Sequence, residues 1–139
     1  MLLKFSMVVF AFLFMFSSVI CFAQEPARMR IAEMIFCESV ENRDPINSNI
    51  SFPDNIGELY CYTWIEGAPK ATSVIHVWYY GDEEMARISL KVGANSWRTW
   101  SSKKILKSWK GKWRVDVLIS NGDLLGSQEF TIRSVSDQQ

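Results

Sequence analysis

Residues 86–92 alternate without exception, with Ala86, Ile88, Leu90 and Val92 on one side of the chain and Arg87, Ser89 and Lys91 on the other. A period of two sends successive side chains to opposite faces of an extended strand, so this run has one face to bury and one to wet. The pattern recurs along the chain. Tyr60, Tyr62 and Trp64 alternate with Leu59, Cys61, Thr63 and Ile65; Val74, His76, Trp78 and Tyr80 with Ile75, Val77 and Tyr79; Trp113, Val115, Val117 and Ile119 with Lys112, Arg114, Asp116 and Leu118. Between these runs stand Gly67-Ala68-Pro69, Gly81-Asp82, Gly93-Ala94-Asn95, Gly111 and Asn121-Gly122, the last a strong hairpin signal because both positions accept positive φ. Residues 124–132 read as the hairpin partner, and 29–40 as a further strand with a helical turn as the alternative. The polar stretch from Glu41 to Asn55 reads as a long loop. Six or seven short strands with no convincing helical period predict an all-β fold, an antiparallel two-sheet sandwich of immunoglobulin-like kind.

The first residues follow a different rule. Lys4 precedes an apolar run from Phe5 to Phe16, and Ala23 closes the segment at a small-residue cleavage position, the pattern of a secretory signal peptide. Residues 1–23 are therefore expected to be a signal peptide and 24–139 a single β-sandwich domain, exported to the periplasm or outside the cell. The alternative is a retained anchor, for which the apolar run from Met7 to Phe22 is short. No integral membrane span is expected after cleavage. Setting Cys21 aside leaves Cys37 and Cys61, and in an oxidising compartment the simplest reading joins them as a disulfide. Two buried free thiols are the alternative.

Charge and metal chemistry narrow the function. Lysine plus arginine and aspartate plus glutamate both number 15, so no global field favours nucleic acid, and none is expected as a partner. His76 is the single histidine, too little for a metal site beside two cysteines, and neither metal nor cofactor is expected. As a general base it would need a nucleophile and an orienting carboxylate such as Asp116 or Glu58, and no serine elbow accompanies it. A structural histidine bonded between strands is the plainer reading.

The richest chemistry lies in Trp97-Arg98-Thr99-Trp100-Ser101-Ser102-Lys103, following His76-Val77-Trp78-Tyr79-Tyr80. Alternation puts Trp97, Thr99 and Ser101 on one face and Arg98, Trp100 and Ser102 on the other. Trp97 and Trp113 are expected to point inward and Trp100 beside Arg98 outward. Trp100, Arg98, Lys103, Trp78 and His76 are the candidate ligand-binding residues, as a stacking surface with donors at its rim. The lysines from Lys103 to Lys112 read mainly as a solvated loop protecting a sheet edge.

These two stretches, with Arg43-Asp44-Pro45 after the Cys37 strand, Gly111-Lys112-Trp113-Arg114-Val115-Asp116-Val117, and Gly122-Asp123-Leu124-Leu125-Gly126 before Phe130, resemble the bacterial family called domain of unknown function 2914. The resemblance implies one exported or membrane-tethered domain and transfers no catalytic residues. The chain is thus expected to be a non-catalytic exported binding domain for a cell-envelope glycan or protein. The alternatives are a structural assembly module of an envelope complex and, more weakly, a hydrolase using His76.

Overall fold

The computed structural model describes residues 28–138, and the expected signal peptide lies outside the described residues. Among the described residues nine strands follow in order: β1 (Arg30–Glu41), β2 (Asp44–Ser48), β3 (Ser51–Pro53), β4 (Glu58–Glu66), β5 (Thr72–Tyr80), β6 (Glu83–Val92), β7 (Ser96–Lys104), β8 (Gly111–Ile119) and β9 (Leu124–Arg133). They form two sheets, β2-β1-β4-β7 and β3-β9-β8-β5-β6, packed face to face. The all-β sandwich read from the alternation is the fold, consistent with an immunoglobulin-like arrangement. All pairings are antiparallel except β3 with β9, which run parallel through Ser51↔Thr131 and Pro53↔Arg133.

The region expected to be one long loop, 41–55, holds β2 and β3. Its polarity misled because β2 is an edge strand, exposed enough to carry Asn and Ser, and Pro45 loses no ladder bond on an open edge. The uneven pattern of β1 has a local cause as well. Its register against β4 shifts between Ile31 and Glu33, a bulge that resets which residues face inward.

The core follows from the inward faces. Phe36, Phe52, Leu59, Cys61, Trp78, Trp113, Val115, Phe130 and Ile132 form one buried cluster, and Ile65, Val74, Val92 and Val117 a second. Tilted, edge-on and stacked ring contacts join Phe36, Trp78, Trp113 and Phe130 with centroids 4.5–6.4 Å apart. Such pairs add to the stabilisation from area burial alone.

The expected disulfide is corrected. Cys37 and Cys61 are both free and buried. The register explains why: Cys37 lies opposite Tyr60, and Phe36 opposite Cys61, so the two cysteines are diagonal neighbours whose side chains leave the sheet on opposite faces. A bond cannot form across the thickness of a sheet without slipping the register. Cys61 belongs to the core and burial pushes its thiol far up; Cys37 faces the other way, and burial raises its thiol too, against hydrogen bonds from the Ile46 and Ser39 backbone.

Candidate binding cleft

The candidate residues separate into three places. His76 and Trp78 stand on the inward face of β5, both wholly buried, and so cannot touch a ligand; their expected role as binding residues is corrected. They belong instead to a chain of hydrogen bonds between the sheets. Trp78 Nε1 donates to Ser101 Oγ at 3.0 Å, and Ser101 Oγ lies 2.7 Å from His76 Nδ1. On the other side of the ring His76 Nε2 lies 3.2 Å from Thr63 Oγ1, which donates to the Thr99 carbonyl at 3.0 Å. Only one proton arrangement satisfies every group: Thr63 gives its proton to Thr99, so it accepts from Nε2–H, and Nδ1 accepts from the Ser101 hydroxyl. His76 is therefore neutral, and burial lowers its pKa from 6.5 to about 4.

Neither carboxylate considered for a catalytic pair faces this histidine. Asp116 lies opposite Val77 on the far face of the sheet, bonded to Arg114 and Ser127, and Glu58 pairs with Lys104 on the outer face of the other sheet. Among the described residues no group of three or more His, Cys, Asp or Glu could hold a metal.

Lys103 goes to a second place. It sits opposite Leu59, on the side of β7 away from Arg98 and Trp100, with its ammonium 5.1 Å from the Trp109 ring. Of the other lysines in the basic run, Lys110 pairs with Asp54 at 3.5 Å and Lys112 with Glu129 at 3.6 Å.

Arg98 and Trp100 stay together on the outer face of β7, as the alternation required, with Trp97 inward and partly buried against the second cluster. The register pairs Arg98 with Trp64 and Trp100 with Tyr62 across the β4–β7 ladder. Each pair is a contact. The Arg98 guanidinium lies 4.7 Å from the Trp64 ring centre, and the Tyr62 and Trp100 rings are stacked at 6.4 Å and 14°. Trp64 is held by a 2.8 Å bond from its Nε1 to Ser96 Oγ. Tyr62 is only 1% exposed although it points outward, and burial pushes its phenol up, opposed by the nearby Arg98.

The β1–β2 hairpin covers this face. Its two-residue tip, Asn42-Arg43, has φ of 49° and 64°, the primed turn that suits a tight hairpin. The following Asp44 reaches Arg98 at 3.5 Å, and Arg43 lies over the same site. Arg43, Trp64, Ser96, Trp97, Arg98 and Trp100 line a cleft of about 410 Å³. Sequence reasoning found Arg98 and Trp100 but missed Trp64, Ser96 and Arg43 as their companions. The period of Tyr60, Tyr62 and Trp64 was visible; that this aromatic face points outward was not, because both faces of β4 are apolar.

The family described as a protein of unknown function (DUF2914) matches residues 71–132, which include β5 to β8, most of β9 and four of the six residues that line the cleft. Over residues 71–132 the chain is similar to this family. No curated protein matches the chain. The matched segment supplies Ser96, Trp97, Arg98 and Trp100, while Trp64 comes from β4 and Arg43 from the β1–β2 turn, both before it.

Proposed function

We propose that this protein is a non-catalytic, exported domain that binds a cell-envelope glycan in the cleft between the β1–β2 tip and the outer face of β4 and β7. The observation that carries the reading is the lining itself: indoles and guanidinium groups, fixed by rigid strands, around an open concavity. A pyranose ring presents an apolar C–H face that an indole accepts and hydroxyl edges that guanidinium and serine groups can bond. Trp100 is the stacking residue, since Arg98 already covers Trp64. The reading is non-catalytic because both nitrogens of the chain's one histidine are engaged in buried hydrogen bonds.

Titrating the protein with soluble peptidoglycan and polysaccharide fragments while following tryptophan fluorescence tests this reading. Saturable binding that Trp100→Ala removes, with the fold intact by circular dichroism, is the expected result. Absence of binding to every saccharide would overturn it.

A second reading, an assembly module, is favoured by one observation. β7 ends its sheet, so the backbone edge beside the cleft is open to an added strand from another envelope protein. That reading expects a size that grows with protein concentration or with an envelope partner.

A further inference from the structure

The shape of the hairpin tip says more about the ligand. In a two-residue primed turn both central residues take positive φ, and the second is commonly glycine, because a side chain there is strained. Here that position is Arg43, at φ 64°. A local sequence choice that costs stability calls for a compensating use. No described residue forms an ion pair or hydrogen bond with the Arg43 guanidinium, which lines the cleft.

The second cation is loosely held. Arg98 meets Asp44 at 3.5 Å, well beyond the distance of a strong charge-assisted bond of about 2.8 Å, and both side chains are more than a third exposed. The cleft lining contains two guanidinium groups and no carboxylate. The chain as a whole has no net charge, so this concentration of positive charge is local and aimed at the cleft.

We infer, resting on the glycan reading above, that the saccharide carries a carboxylate, and that this group takes the place of Asp44 on Arg98 while Arg43 closes on it from the turn. Guanidinium groups bind carboxylates through paired N–H donors in a planar fork, a geometry that two arginines on opposite walls can supply from both sides. Trp100 then takes the sugar ring and the arginines take its acid. The reading assigns the strained arginine a use and gives Asp44 the role of a stand-in for the ligand's own charge.

The test compares two probes with one backbone: α-1,4-linked tetragalacturonate and its carboxyl-reduced tetragalactose, titrated against the protein at low and high salt. The acid is expected to bind at least ten-fold tighter, with the difference shrinking as salt rises. Arg43→Gly is expected to remove that preference while leaving thermal stability equal or higher, since glycine suits the turn; loss of binding then cannot be a folding defect. Asp44→Asn is expected to raise affinity for the acid about three-fold and leave the neutral tetramer unchanged. Equal affinity for both tetramers, abolished by Trp100→Ala, overturns the carboxylate inference and leaves the glycan cleft standing. Binding of neither tetramer overturns the inference; if the wider saccharide panel is also silent, the glycan reading falls with it.

Discussion

Strand β7 carries polar groups on both faces, and the two faces treat them in opposite ways. Inward, Ser101 and the Thr99 carbonyl sit in a network where each donor has one acceptor and the histidine at its centre is neutral. Outward, one residue away, Arg98 keeps a long contact to Asp44 and stacks on Trp64, and the facing Arg43 has no described partner. A buried polar group left unpaired is costly, so the inner face closes its hydrogen bonds and thereby fixes how the sheets meet. The outer face has solvent as its fallback. Its donors can stay open at little cost, which is what a binding surface requires.

The sharpest way to break this comparison is to remove the atom on which the inner network converges. Ser101→Ala strips the donor from His76 Nδ1 and the acceptor from Trp78 Nε1 at once. Leaving two buried polar atoms unpaired should cost about 3 kcal/mol, read as a lower midpoint in chemical denaturation. A loss under about 1 kcal/mol would mean that the inner face, too, has solvent to fall back on.

The same network gives a pH dependence with a definite sign. His76 titrates near 6.5 when unfolded and near 4 when folded, so between these values the unfolded chain binds more protons. Its stabilising contribution is complete above pH 6.5 and is lost as pH falls towards 4, at most about 3 kcal/mol. Denaturation of the native protein and of His76→Gln across this window isolates the term, because carboxylates contribute to both. The native protein should lose more stability than the variant; parallel curves would place the histidine in contact with water.

The division between the faces is partly legible in the amino-acid sequence. Strict alternation in β6 and β7 fixed which residues travel together, and Arg98 with Trp100 are together on the surface as that pattern demanded. Alternation says which residues share a face but not which face is inside when both are apolar. For β4 and β5 it therefore left Trp64 out of the site and put His76 and Trp78 into it. Arg43 was harder still: it belongs to the cleft only because the β1–β2 hairpin brings its tip to residues more than 50 positions further on, as the Asp44 to Arg98 contact records. Nothing in local spacing reports such a fold-back. The cysteines failed for a related reason, since pairing them by count ignores the one-residue offset in register that sends them to opposite faces.

On the outer face the expected effects on stability are smaller and those on binding larger. Trp100 is partly buried, with one ring contact to Tyr62. Trp100→Ala should cost about 1 kcal/mol of stability yet weaken saccharide binding more than ten-fold. Measuring both on one preparation sharpens the contrast with Ser101→Ala, which should show the reverse weighting. A Trp100→Ala protein that unfolds like the Ser101 variant would make the aromatic face part of the core.

The smallest expected effect concerns the two cysteines, which sample one face each. Cys61 lies inside with Phe36 and Leu59, and Cys37 lies on the outer side, opposite Tyr60 and beside the β2 arm. If they were bonded, reduction would release a loop of about 25 residues and remove about 3 kcal/mol, a fall of several degrees in the midpoint of a domain this size. The register predicts no such fall: melting with and without reductant should agree within about 1 °C. A thiol reagent should label neither residue in the folded domain and both after unfolding. Ready labelling of Cys37 alone would carry its own lesson. It would mean that the β1–β2 arm lifts from the outer face while the inner face stays shut, and that the hairpin carrying Arg43 to the cleft moves as a unit.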